Sequence, residues 1–163
     1  MALLLLALAT GCTATPHPPT APDPVERAAL SQARQTAIRN VGPVVAGGRV
    51  FVSQQHGRVF AINAKTGKVI WNHQYKRCSA SSPTVTDTAV YVTLMQPHPC
   101  RREPRSQHGL VIALRPHDGK VLWELDVPGA VESSPLLVGN LLYFGSWDHR
   151  LYAVDIRTHK VRW

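Results

Sequence analysis

Two of the three cysteines, Cys78 and Cys100, are the residue pair in this chain best suited to chemistry. They could form a disulfide, remain as two free thiols, or contribute a pair of metal ligands. In an oxidising compartment, a disulfide that closes a loop of about 22 residues contributes roughly 3 kcal/mol to stability. Which chemistry applies depends on export and on whether the fold brings the two residues together.

Basic residues lie beside both cysteines in a chain whose formal net charge is +8. Five clustered cations could attract phosphate-rich polymers, anionic lipid headgroups or an acidic protein face. The alternative is a solvated loop. Base stacking would require interleaved aromatic residues, which are absent here, so we expect no nucleic acid partner. A disulfide would join the cations into one possible binding patch, which consists of Lys76, Arg77, Arg101, Arg102 and Arg105.

Eight histidines raise the question of a metal site. His56, His108 and His149 recur at or beside the same predicted turn of three successive repeats. Equivalent turns of stacked sheets stand at least about 10 Å apart. That spacing is too large for imidazoles that bind one zinc ion at about 2 Å. We therefore interpret these histidines as turn residues and predict no metal site.

The sequence contains no motif of a catalytic site. It has no Cys-x-x-Cys-His, His-Glu-x-x-His or Gly-x-Ser-x-Gly pattern, and no glycine-rich phosphate loop. The segment from Gly145 to His149 contains the residue types of a catalytic triad, but a strand followed by a turn does not let those side chains converge. We therefore expect no catalytic residues, no cofactor and no enzymatic activity.

Residues 1–12 form an apolar run that is shorter than the roughly 20 residues of a membrane-spanning helix, and we interpret them as an export signal. The run ends in Ala9-Thr10-Gly11-Cys12, which resembles the lipobox of bacterial lipoproteins. The match departs from the usual pattern in lacking a preceding Lys or Arg and in having Ala9 where Leu is commoner. The alternative is an ordinary cleavage site near Cys12. The resemblance implies a lipid on Cys12 that anchors the exported protein in the bacterial cell envelope, in the periplasm or on the outer face of the cell membrane.

Two short segments connect this signal to the rest of the chain. Residues 13–24 contain five prolines and little apolar surface, which predicts an extended linker. Residues 25–40 are rich in alanine and follow Asp23 and Pro24, which suit a helix cap and a first helical turn. We predict a short helix there.

The elements that must position the cysteines and cations are three similar units. Each unit opens at a proline (Pro43, Pro83 or Pro135) and ends in a tryptophan. Apolar residues alternate with a period of two and break at turn residues, which predicts four antiparallel strands in each unit. Four strands with a period near 40 residues are typical of propeller blades, so we predict an all-β partial propeller with blades at 41–79, 80–130 and 131–163.

The blade pattern assigns roles to several of these residues. Trp71, Trp123 and Trp163 are suited to fill the gap between adjacent blades. The middle unit carries about a dozen extra residues, 96–107, between its second and third strands. In a blade, the connection that enters the first strand and the loop between the second and third strands lie on the same face. Cys78 and Cys100 occupy those two places, so a disulfide is geometrically plausible.

The segment from Ala61 to Trp71, with the Ser-Ser-Pro openings at Ser81 and Ser133, closely resembles the PQQ-like repeat. That family includes quinone-dependent dehydrogenases, BamB-like lipoproteins that help to assemble outer-membrane proteins, and extracytoplasmic sensor domains. About seven or eight blades are usual in such propellers, and three cannot close a ring. The resemblance therefore implies that the remaining blades lie beyond Trp163; the alternative is closure by self-association.

The resemblance favours a non-catalytic module that is exported, lipid-anchored and binds protein partners or anionic envelope components. Dehydrogenases of the family typically bind PQQ with an adjacent cysteine pair and a calcium ion, and this sequence has no adjacent cysteines. The alternatives are the N-terminal part of a PQQ-dependent dehydrogenase and an extracytoplasmic sensor.

Overall fold

A computed structural model of the protein describes residues 42–97, 100 and 108–163, in which twelve strands form three antiparallel sheets. Blade 1 consists of β1 (Val44–Ala46), β2 (Arg49–Ser53), β3 (Arg58–Asn63) and β4 (Val69–Gln74). Blade 2 consists of β5 (Thr84–Val85), β6 (Val90–Leu94), β7 (Gly109–Leu114) and β8 (Val121–Val127). Blade 3 consists of β9 (Leu136–Val138), β10 (Leu141–Ser146), β11 (Arg150–Asp155) and β12 (Lys160–Val161). The predicted all-β class and the three four-stranded blades are confirmed.

The N-terminal predictions fall outside these residues. The export signal at 1–12 with Cys12, the linker at 13–24 and the helix at 25–40 all precede the first described residue. They stay predictions. Within the described part of the chain, no helix has the length and apolar character needed to cross a membrane.

Each blade packs through alternate side chains of its strands. Blade 2 lies between the other two, and its strands β6 and β7 are buried along their whole length because a sheet covers each of their faces. The residues of one face pack against blade 1, and those of the other face pack against blade 3. We call the two contact layers the first seam, between blades 1 and 2, and the second seam, between blades 2 and 3.

The two seams contain the apolar core. In the first seam, Phe51 and Val59 of blade 1 pack with a set of blade 2 residues that comprises Val90, Val92, Leu94, Leu110, Ile112 and Leu114. In the second seam, Tyr91 and Val111 of blade 2 pack with a set of blade 3 residues that comprises Leu142, Phe144, Tyr152 and Val154. Burial of these side chains is the main force that holds neighbouring blades together.

Two of the three tryptophans that end the repeats, Trp71 and Trp123, lie at these seams. Trp71 is buried, donates its Nε1–H to the carbonyl oxygen of Pro116 at 3.0 Å, and covers the β7–β8 turn of blade 2. Trp123 is half-buried and stacks on His159 in the corresponding turn of blade 3, with 5.4 Å between ring centroids. Trp163 contacts Tyr143 of its own blade and keeps 60% of its surface exposed.

The Ser-Ser-Pro openings link successive blades near their first strands. The Ser82 hydroxyl accepts a hydrogen bond from the Gly42 amide at 2.7 Å. The Ser134 hydroxyl accepts one from the Ser82 amide at 2.9 Å. The first serine of each pair acts within its own blade, since Ser81 donates to the Thr93 carbonyl and Ser133 donates to the Gly145 carbonyl. These serines therefore fasten both a blade and its neighbour, a role that the repeat pattern marks but does not explain.

Candidate functional site

Blade 2 differs from the other two blades in its insertion between the second and third strands, and the candidate site lies at the base of that insertion. The chain leaves β6 through Met95–Gln96–Pro97 and returns at His108, directly before β7. The connection from blade 1 to blade 2, residues 75–79, runs beside these two stems. We call this region the neck: residues 75–79, 95–97, 100 and 108.

Backbone hydrogen bonds pair the connection with the outgoing stem. The Cys78 amide donates to the Gln96 carbonyl at 2.9 Å, and the Met95 amide donates to the Cys78 carbonyl at 2.8 Å. Arg77 and Pro97 form an isolated antiparallel bridge. The connection therefore lies against the insertion as a short additional strand would.

Cys78 and Cys100 form a disulfide across the neck, with their Cα atoms 5.5 Å apart. Cys78 is buried, whereas Cys100 is half-buried. The disulfide fastens a residue within the insertion to the inter-blade connection, as the blade topology predicts. Within the described residues, no group of three or more histidine, cysteine or acidic side chains could hold a metal ion.

Arg77 occupies a different environment from the one expected for a member of an open cationic patch. Its Nη1 donates to the carbonyl oxygens of Met95 at 3.2 Å and His108 at 2.7 Å, one on each stem of the insertion. Its Nη2 lies 3.9 Å from the Asp126 carboxylate, and only 18% of its side chain is exposed. The Nη1 group of Arg77 is thus engaged by backbone carbonyls inside the neck, and the side chain is largely buried, unlike that of an open surface cation.

The other members of the predicted patch divide into two groups. Lys76 is exposed at the edge of the neck and has a left-handed backbone, with φ of 47°. Arg101, Arg102 and Arg105 lie outside the described residues, so their membership in a binding surface stays a prediction.

The β2–β3 turn of blade 1 accepts backbone hydrogen bonds from the neck. The Ser79 amide donates to the Gln55 carbonyl, and the Tyr75 amide donates to the Gly57 carbonyl, both at 3.0 Å. A Cβ atom at Gly57 would overlap the carbonyl oxygen of Arg77. Glycine is therefore required there because the connection passes directly over the turn.

The predicted turn histidines lie where the repeat pattern puts them. His56 and His149 are in the β2–β3 and β10–β11 turns, and His108 directly precedes β7. Tyr75 is the titratable neck residue with the clearest shift, since burial and then the nearby Glu124 carboxylate raise its pKa to about 12. Tyr75 therefore stays protonated at ordinary pH and is unsuited to act as a base. The chemistry that the neck offers is attachment of the insertion.

The chain matches the model of one protein family over most of its length. A family model described as outer membrane protein assembly factor BamB matches residues 21–96 and 104–163. This chain belongs to that family of PQQ-like propeller repeat proteins. The residues between the two matched ranges, 97–103, lie within the insertion.

Individual relatives of the PQQ-like family carry different functions. The chain is 26% identical to outer membrane protein assembly factor BamB of Salmonella typhimurium, in an alignment that covers 80% of this chain and 44% of the relative. It is 29% identical to polyvinylalcohol dehydrogenase of a Sphingopyxis species, over 70% of this chain and 16% of the relative. The crystal structure of BamB from Moraxella catarrhalis aligns with a TM-score of 0.54 at 19% identity, over 74% of this chain and 34% of that chain, and shows the shared fold. This chain thus spans less than half of each relative.

The described residues do not fit the quinone site that dehydrogenases of the PQQ-like family use. The three cysteines are at positions 12, 78 and 100, so none is adjacent to another. The described residues also lack an acidic cluster that could hold calcium. We therefore assign no step of chemistry to a quinone in this part of the chain.

Proposed function

We propose that the chain acts outside the cytoplasm as a non-catalytic scaffold that binds other proteins during outer-membrane protein assembly. The observation that carries this proposal is the neck, in combination with the family match to BamB. A disulfide and an arginine fasten one inserted loop to a rigid stack of sheets. A loop positioned by a rigid scaffold is a common form of recognition site.

The binding surface in this proposal is the loop beyond the neck together with Lys76. The sequence of the loop carries Arg101, Arg102 and Arg105, and Glu103 is the acidic residue among them. Such a charge distribution suits an acidic protein face or an anionic envelope component. Arg77 is left out of this surface because its Nη1 bonds two backbone carbonyls and its side chain is largely buried.

Export and lipid anchoring form a separate part of the proposal. They rest on the apolar run 1–12 and on Cys12, and the similarity to outer-membrane assembly factors supports them. A Cys12→Ser variant should move from the membrane fraction to the soluble fraction of the envelope, because it cannot accept the lipid. Membrane association equal to that of the wild type would contradict anchoring through Cys12.

The scaffold function can be tested in the bacterium that makes the protein. Its removal should lower the amount of folded outer-membrane β-barrels, measured by heat-modifiable migration in gels. Wild-type protein should restore that amount, whereas a variant with Arg101, Arg102 and Arg105 changed to serine should restore less than half. The matched control changes the exposed lysines Lys65, Lys68 and Lys160 to serine, which removes the same charge elsewhere. Unchanged β-barrel levels after removal would overturn the scaffold function.

A second candidate function is supported by the similarity to polyvinylalcohol dehydrogenase. On that alternative, the chain is part of a quinone-dependent dehydrogenase. Membranes that contain the protein should then oxidise an added alcohol, such as polyvinyl alcohol, and pass its electrons to an artificial acceptor only after PQQ is added. Acceptor reduction that disappears with removal of the protein would favour this candidate over the scaffold.

A further inference from the structure

Two neighbouring residues hold the insertion at three points. Arg77 contacts the outgoing stem at Met95 and the returning stem at His108, which lie on opposite sides of the inserted residues. Cys78, the next residue, is bonded to Cys100 within the insertion. One fastening is covalent and depends on oxidation, whereas the other consists of hydrogen bonds from a permanent cation.

The acceptors of Arg77 make its contacts independent of solution conditions. Both are backbone carbonyl oxygens, which neither ionise nor change with oxidation. The nearby Asp126 carboxylate is 80% exposed and 3.9 Å away, so it contributes little. Hydrogen bonds from a charged donor correspond to a factor of about ten or more in a local closing equilibrium.

The shape of the side chain also matters. A guanidinium carries five N–H donors on a rigid plane, so it can reach two separate carbonyls and a third group at once. A lysine ammonium at position 77 would be a point charge on a flexible stem. Its single nitrogen also carries three donors, but its stem is one bond shorter than the path to Nη1, which bonds both carbonyls in Arg77, so we expect it to reach the two stems less well.

We propose that Arg77 is a positioning residue that closes the neck in parallel with the disulfide, so that the insertion keeps its attachment when the Cys78–Cys100 bond is reduced. Arg77 thereby sets where the loop emerges from blade 2 without contacting a partner. The biological value of this second fastening rests on the proposed binding role of the loop. The closure of the neck itself is measurable without any partner.

Native-state hydrogen exchange tests the closure directly. The reporters are the amides of Cys78 and Met95, which bond across the neck, and the reference is the Ile112 amide in β7. Wild-type protein and an Arg77→Met variant are each measured oxidised and after reduction with dithiothreitol. Loss of one fastening should accelerate exchange of the reporters by about threefold or less, because the other still closes the neck. Loss of both should accelerate exchange at least about tenfold, with no change at Ile112.

Two further variants establish the cause. Arg58→Met removes the same charge from an exposed arginine that bonds to Gln74, and should leave the reporters unchanged. Arg77→Lys should restore part of the protection in reduced protein. The inference is overturned if reduced Arg77→Met exchanges no faster than reduced wild type, or if Arg58→Met has the same effect.

Binding to vesicles separates this inference from the proposal that the loop binds an anionic envelope component. The probes are phosphatidylglycerol vesicles and, as a control, phosphatidylcholine vesicles. Parallel loss of reporter protection and of phosphatidylglycerol binding in reduced Arg77→Met would support both the clamp and an anionic binding surface. The expected exchange pattern with no vesicle binding by the wild type would support the clamp and overturn an anionic lipid as the partner.

Discussion

The first and second seams are built from the same repeat positions but bury their tryptophans differently. In the first seam, Trp71 is buried and its Nε1–H bonds to the Pro116 carbonyl. In the second seam, Trp123 is half-buried and its ring lies on the His159 side chain. The turn below Trp71 has Gly119 at the position that His159 occupies below Trp123.

The two seams therefore differ in the room that this position of the repeat leaves for the tryptophan. Both turns require a left-handed residue, with φ of 72° at Gly119 and 58° at His159. Glycine meets this requirement and also leaves room for an indole directly on the backbone, whereas histidine fills that room with its own ring. A similar repeat sequence can thus produce either a buried anchor or a partly exposed stack.

We expect the largest change in the free energy of unfolding when the tryptophan side chains are removed. Trp71→Ala should lower the free energy of unfolding by about 4 kcal/mol, because it empties a buried site and removes the hydrogen bond to Pro116. Trp123→Ala should cost about 2 kcal/mol, because its ring is already half-exposed. Urea denaturation of the full chain measures both. Equal losses would mean that the two seams do not differ in energy.

A smaller effect is expected at the turn below Trp71. A Cβ atom at Gly119 would lie 2.7 Å from Trp71 ring carbon Cδ2 and 2.7 Å from His73 Nε2. Gly119→Ala should therefore cost about 3 kcal/mol, from left-handed strain and from displacement of the tryptophan.

The control for this substitution is Gly67→Ala in blade 1. Gly67 has nearly the same φ, 70°, but no atom lies within 4 Å of its Cβ position. It should cost about 1 kcal/mol from backbone strain alone. If the two alanine variants unfold at the same urea concentration, strain and not tryptophan packing limits this position.

The smallest predicted effect is on the pH dependence of the free energy of unfolding. The amide of Arg157, followed by that of Thr158, hydrogen-bonds the Asp155 carboxylate and holds its pKa below the ordinary value of 3.8. Asp155 begins the turn that carries His159, so it stabilises the second seam above this pH. That contribution is lost as the pH falls through the lowered pKa, when the carboxylate gains a proton.

Asp155→Asn should make the free energy of unfolding depend less steeply on pH in the acid range. Blade 1 offers a natural precedent, since the Asn63 side chain accepts the corresponding amide hydrogen bonds of Lys65 and Thr66 without a titratable group. Unfolding free energies compared between about pH 5 and pH 2 should fall less steeply in the variant than in the wild type. An identical slope would show that Asp155 does not contribute to the acid sensitivity of the seam.

Features that recur in the three units could be predicted from the sequence, because repetition reveals which positions matter. The strands and the proline openings follow from this repetition, whereas the cysteine pair, which occurs once, follows from blade topology. The role of Arg77 could not be predicted in this way, since its acceptors are backbone carbonyls that any residue provides. Its charge indicated an open cation, and only its position beside Cys78 gave a signal of another role.

The sequence also could not predict how deeply the Trp123 side chain is buried. The sequence shows that His159 replaces a glycine and must adopt a left-handed backbone, but it does not show where the imidazole ring goes. The ring position depends on tertiary packing against β8, which is a long-range property.

The hydrogen bonds at the first seam have a consequence for the order of folding. Trp71 bonds to a residue 45 positions later, and the Gly42 amide bonds to a serine 40 positions later. These hydrogen-bond partners of blade 1 lie in blade 2. Because the ribosome releases the N-terminus first, blade 1 cannot form its contacts with blade 2 until most of blade 2 has been released. Each newly made sheet therefore keeps one apolar face uncovered until the next blade has been released.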